Sequence, residues 1–127
     1  MPKKVSTKGE HRSLKDVVWV GDSREQVQQF PKGARRTVGQ ALRFAQRGDK
    51  HPKAKPMTGI GPGVLEIVAR HGTDTYRAVY AVSVGERIYV LHCFQKKSTK
   101  GIKTPKKEID LIKQRLRQAK QMEAADE

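Results

Sequence analysis

Three β-type runs lie almost end to end in the middle of this chain, and they limit its fold more than any other feature. They span about residues 64–70, 75–84 and 87–94, and Val, Ile and Tyr dominate them. Turn-like connectors separate them, His71-Gly72-Thr73-Asp74 and Val84-Gly85-Glu86. A parallel crossover needs roughly a dozen residues or more, so strands joined this closely pair as an antiparallel meander.

The flanking segments are helical or punctuated. Val17-Val18-Trp19-Val20 is a short β-type run ended by Gly21-Asp22-Ser23. Ser23 is placed to cap a helix through its hydroxyl, with Glu25 and Gln26 in the first turn, and this helix ends near Phe30, before Pro31. From about 34 to 47 the period is helical: Ala34, Val38, Ala41, Leu42 and Ala45 fall on one stripe, with Arg35, Arg36, Arg43 and Arg47 mostly outside it and Gly48 as a stop. Together the two helices predict an α-hairpin. Residues 48–62, rich in Gly and Pro, read as a loop. Within it Gly59-Ile60-Gly61-Pro62-Gly63 is a tight turn into the sheet; a dinucleotide loop would follow a strand and open a helix, whereas this one precedes a strand. Near the other end, Thr104 is placed as an N-cap and Pro105 suits the first helical position. Ile109, Ile112, Leu116 and Ala119 then recur on one side, and fraying is expected after Gln121.

The expected fold class is α+β: a small antiparallel β-sheet with an N-terminal helical hairpin and a C-terminal helix, in the order β-α-α-β-β-β-α. The helices are expected on one sheet face, with the other face partly open. One domain is expected over 16–122, after a flexible basic arm at 1–15 and before a frayed tail at 123–127. The chain of 127 residues is too short for two such domains.

Charge narrows the function. Lys plus Arg number 27 against 13 Asp plus Glu, for a net charge of +14. Six lysines, Lys96, Lys97, Lys100, Lys103, Lys106 and Lys107, follow the last strand with no acidic residue among them, and Lys50, Lys53 and Lys55 add charge to the central loop. A rigid sheet end loaded with cations suits a polyanion, and nucleic acid is the first candidate. Cys93 is the only cysteine, so no internal disulfide can form. No apolar stretch approaches the roughly eighteen residues of a membrane span, and a soluble cytoplasmic protein is expected. With histidines at 11, 51, 71 and 92 and no Cys-x-x-Cys or His-x-x-x-His pair, neither a metal site nor a small-molecule cofactor is expected.

Several side chains have the chemistry of RNA strand cleavage. If the 2′-hydroxyl is the nucleophile, no metal is needed: a base takes its proton, cations stabilise the charged phosphorus centre, and an acid protonates the leaving 5′ oxygen. Glu66, Arg70, His71, Arg77, His92, Lys96 and Lys97 lie in or just after the strands. Strand alternation puts Arg77 on the face of Val79, Ala81 and Ser83, opposite Tyr76, Ala78, Tyr80 and Val82. There Arg77 has two readings, a fork for phosphate or a partner for Glu66 across the sheet. His92 is a candidate base or a satisfied core residue, and Tyr76, Tyr80, Tyr89 and Phe94 either stack bases or fill the core.

The ordered set Gly59-x-Gly61, Leu65-Glu66-Ile67, Tyr76-Arg77-Ala78-Val79-Tyr80, Ile88-Tyr89-Val90-Leu91-His92-x-Phe94-x-Lys96-Lys97-Ser98 and Thr104-Pro105 resembles the phage-derived branch of the RelE/HigB toxin superfamily, over about residues 16–120. The resemblance implies the toxin of a type II toxin–antitoxin pair. Its activity would be metal-independent cleavage of mRNA on the ribosome, and its partner a helix-turn-helix antitoxin. By position, Arg77 resembles the phosphate-contacting arginine, Lys96 and Lys97 the basic residues after the last strand, and Glu66 the acidic residue of a Leu-x-Glu-x-Arg pattern. Val68 stands where that pattern has arginine, and Arg70 or a loop lysine is the candidate substitute. His92 completes the catalytic set, and Arg70, Lys53, Lys55, Lys100 and Lys103 are expected to bind RNA. The alternative is a non-catalytic toxin or binder of the same fold, inhibiting gyrase or binding RNA without cutting it.

Overall fold

A computed structural model describes residues 13–96 and 104–126. The meander is present as β3 (Val64–His71), β4 (Asp74–Ala81) and β5 (Ile88–Lys96). Two short strands extend it. β1 (Val17–Trp19) lies parallel to β5, and β2 (Ala54–Pro56) lies antiparallel to β3, so the order is β1-β5-β4-β3-β2. The helices are α1 (Ser23–Gln28), α2 (Lys32–Gln46) and α3 (Lys106–Ala125). This is the α+β arrangement expected of a RelE-like fold.

The layering differs from the expectation. The helices do not share one face. α1 and α2 cover one side, where Val27, Ala34, Val38, Ala41 and Leu42 pack with Ile67, Ala78, Tyr80, Val90 and Cys93. On the other side Ile112, Leu116 and Ala119 of α3 pack with Val64, Val79, Ala81, Leu91 and Phe94. The cause is legible in the strands: β5 is buried without a break from Ile88 to Phe94, so both its faces need cover. Tyr80, Tyr89 and Phe94 fill the core, while half-buried Tyr76 packs on Phe30.

One irregularity aims side chains at α3. The β4–β5 register steps from Val79↔His92 to Tyr80↔Val90, so Leu91 is the extra residue of a bulge. Leu91 and His92 therefore both point to the α3 side, which strict alternation forbids.

Neither expected hydroxyl cap forms. Asp22 occupies the N-cap of α1, and buried Ser23 instead donates its hydroxyl to the Val90 carbonyl at 3.2 Å. α3 is preceded by Pro105 as N-cap, which frees Thr104 for another surface. α3 also continues past Gln121, where fraying was expected, to Ala125. Glu123 is held there by Arg87 at 3.0 Å and by the Tyr89 hydroxyl at 2.5 Å, and Asp126 also pairs with Arg87. Of the expected basic arm, residues 1–12 lie outside the described residues. Lys15 is fastened to α2, its N–H donating to the Gln46 carbonyl and its carbonyl accepting from Gln46 Nε2. Gly63, at φ +76°, makes the turn into β3, and its carbonyl accepts from the Val82 N–H at 2.8 Å; an added Cβ would lie 2.4 Å from that of Ser83.

Candidate nucleic-acid interface

α3 covers only part of its sheet face. Beyond its N-terminal end an open cleft of about 600 Å³ remains, within the usual range for a ligand site. Its floor is Glu66, Val68 and Arg70, alternate residues of β3, with Arg77 of β4. One wall is Lys55 and Pro56 of β2 with Met57 and Thr58 after it. The other is Thr104 and Ile109 at the start of α3.

Strand register brings the floor together. Val68 lies opposite Arg77 and Glu66 opposite Val79, so Glu66 and Arg77 are diagonal neighbours on one face. Arg77 Nη1 donates to Glu66 Oε2 at 2.8 Å, with the two side chains only 11% and 6% exposed. Of the two readings of Arg77, the cross-sheet pair is therefore present. It does not close the other, because Arg77 still lines the cleft and its Nε is buried with no hydrogen-bond partner among the described residues. On the neighbouring strand Lys96 lies opposite Thr75, and among the described residues its Nζ is likewise buried with no partner. Loss of hydration holds the Lys96 ammonium below its ordinary range, and repulsion from Arg77 adds to this against the opposing pull of Glu66.

The remaining candidates divide. Arg70 is exposed, one step of two along β3 from Val68, so it can supply the cation that Val68 does not. Lys55 enters the cleft because β2 sets it opposite Glu66. Lys53 is exposed just outside, its carbonyl accepting from the Val68 N–H. His92 lies under α3 and does not line the cleft: Nε2 is 2.7 Å from Glu108 Oε1, Nδ1 is 3.4 Å from Arg115 Nη1, and the ring stacks on Phe94. Since arginine can only donate, Nδ1 is the acceptor and Nε2–H is the donor to Glu108. Lys97, Lys100 and Lys103 lie outside the described residues.

Sequence reasoning missed the walls. Pro56, Met57 and Thr58 were assigned to a loop, and Thr104 to a cap. It also missed Arg115, which donates to Asp22 at 2.7 Å and to the Leu91 carbonyl at 3.1 Å and so ties α3 to the start of α1 and to β5. Arg115 holds the Asp22 carboxyl below its ordinary range. Burial pushes the Cys93 thiol up to about 12, which removes it from nucleophilic chemistry at neutral pH.

A family model described as Phage derived protein Gp49-like (DUF891) matches residues 25–117, well over half of the chain. The chain belongs to this Gp49-like family of phage-derived proteins. It is a RelE-like toxin family, and membership implies an antitoxin partner. The match runs from α1 into α3 and so contains every residue that lines the cleft, from Lys55 to Ile109, and Lys96 beside it. No curated protein matches the chain. Among the described residues, no helix is long and apolar enough to cross a membrane.

Proposed function

We propose that this Gp49-like chain is the toxin of a type II pair and cuts mRNA on the ribosome, in the manner of RelE and HigB toxins. The observation that carries the reading is the cleft that gathers Lys55, Arg70 and Arg77 over Glu66, with the desolvated Lys96 ammonium on the adjoining strand. A bent RNA strand would place its scissile phosphate against Arg77. The 2′-oxygen then loses its proton and attacks phosphorus, the bond from phosphorus to the 5′ oxygen breaks, and the products are a 2′,3′-cyclic phosphate and a 5′-hydroxyl. Arg77 neutralises the charge that builds on the phosphoryl oxygens. Lys96, poised to give up a proton more readily than an ordinary lysine, protonates the leaving oxygen. Glu66 orients the Arg77 fork, and a carboxylate so close to the phosphate is also the nearest described base. Lys55 and Arg70 hold the flanking phosphates. The antitoxin, a helix-turn-helix protein, is the expected partner.

Expression in growing cells, followed by mapping of new 5′ ends on translated messages, tests this. Cuts that depend on translation and vanish in Lys96→Met support it. A second reading has its own observation, because the Arg77 fork is already engaged by Glu66. Under that reading the cleft binds without cutting. Growth arrest with intact transcripts would establish it, and a DNA-damage response would point to gyrase.

A further inference from the structure

A second groove lies on the opposite side of the molecule, between the outer edge of β1 and the helical hairpin. Its floor is Val17 and Trp19 of β1, Val27 of α1, and Val38 and Leu42 of α2. Arg24, Arg35 and Arg43 stand around it, and among the described residues no acidic side chain lines it. Among the described residues β1 pairs with β5 alone, which leaves its other edge open, and Val17 and Trp19 are only partly buried. We infer that this groove is a docking site for an acidic amphipathic helix of a partner protein.

Three observations select that occupant. First, the α2 residues that line the groove, Arg35, Val38, Gly39, Leu42, Arg43 and Gln46, recur at three and four over about three turns. That is a straight trough roughly 16 Å long at 1.5 Å per residue, the shape into which an amphipathic helix lays its apolar stripe. Second, the charged residues of the rim, Arg24, Arg35 and Arg43, are all cationic, with the neutral Gln28 and Gln46 beside them, while the floor is aliphatic apart from Trp19. Apolar anchors flanked by carboxylates satisfy both. An RNA strand would satisfy the rim and stack at most one base on Trp19, since Val17, Val27, Val38 and Leu42 give further bases nothing flat to stack on. The chain's own N-terminal segment, with Lys3, Lys4, Lys8 and Arg12, carries the wrong charge. Third, Gly39 sits in the middle of α2 although a Cβ there would meet no atom within 4 Å. The fold itself gives no reason for a glycine that weakens its helix. Close approach of a second backbone along the groove does.

The inference rests on the implied antitoxin only for the identity of the partner, and it is independent of RNA cleavage at the other face. The probe is a labelled synthetic helix with leucines along one stripe and glutamates beside it, titrated into the full chain and followed by fluorescence anisotropy. Salt-sensitive binding is expected, weakened at least tenfold by Arg24→Glu with Arg43→Glu. Gly39→Leu is the sharper variant. It fills the groove and strengthens the helix, so its melting temperature should equal or exceed that of the wild type while binding falls at least tenfold. Three results overturn the inference: binding no tighter than that of a scrambled peptide of the same composition, unchanged binding by folded Gly39→Leu, or displacement of the peptide by an RNA oligonucleotide of equal affinity. Peptide binding in a chain that cuts no message would refute the nuclease reading and leave this one standing.

Discussion

The Glu66–Arg77 pair makes separable demands on folding and on chemistry, and a double-mutant cycle distinguishes them. Both side chains are nearly buried and their charged atoms are 2.8 Å apart. Removing either alone strands the other charge in a poorly hydrated site, which costs about 3–5 kcal/mol. That is at least about a fifth of the roughly 5–15 kcal/mol that holds such a domain together. Arg77→Met and Glu66→Leu should each therefore move the urea midpoint down by about 1–5 M, given slopes of about 1–3 kcal/mol per molar. The double variant strands no charge and should be no less stable than either single variant, which requires a coupling of at least about 3 kcal/mol. Message cleavage should follow a different pattern: Arg77→Met and the folded double variant should both be inactive, because neither has a guanidinium for the phosphate. If the single effects simply add, within about 0.5 kcal/mol, the pair is not the buried contact described above. If the double variant cleaves at the wild-type rate, Arg77 has no part in the chemistry.

Lys96→Met should raise thermal stability at pH 7 while lowering cleavage. A lysine held below its ordinary value of 10.5 penalises the fold where both states are charged, and the penalty fades as pH rises through the folded value toward 10.5. The gain in melting temperature should accordingly shrink at alkaline pH. Asp22 has the opposite sign: Arg115 depresses it, so its contribution is complete above the ordinary 3.8 and is lost as pH falls through the lower folded value. Asp22→Asn should destabilise at pH 7 and by progressively less as pH falls below 3.8, with a modest size because the carboxylate is 51% exposed. Cys93 should resist thiol reagents at pH 8 in the native protein and react on unfolding, since a thiol near 12 is ionised in only about one molecule in ten thousand at that pH. Gly63→Ala should cost on the order of 1–3 kcal/mol in denaturant titrations, from its positive φ and from the close approach of Ser83.

The sequence made the long elements plain because their periods are strong. The stripe of Ala34, Val38, Ala41, Leu42 and Ala45 is buried in full, and the three expected strands lie within two or three residues of the observed ones. The missed features lack a local signal. β2 is Ala54-Lys55-Pro56, too short for alternation and ending in a residue without an N–H, and it is a strand because β3 offers an edge. The placement of α3 on the second face was available from β4 and β5, whose apolar residues occupy both parities, but the polar positions 66, 68's neighbour 70, and 77 suggested an open face. That suggestion was half right, since those polar residues are the part α3 leaves uncovered. At the site, register placed Glu66 and Arg77 together. Only coordinates could bring in Thr104 and Ile109, which are far along the chain from the strands they face, or set His92 under α3 by way of a bulge.

The parallel pairing of β1 with β5 has a consequence for how the chain is born. Val17 finds its partner in Ile88, so a strand made at the outset has nothing to bond with until seventy-odd residues more have left the ribosome. At translation speeds of about 5–20 residues per second, that interval is roughly 4–14 s. For that time Trp19 and its neighbours are unpaired in the nascent chain, and a helper that binds early apolar segments during synthesis would meet this protein there.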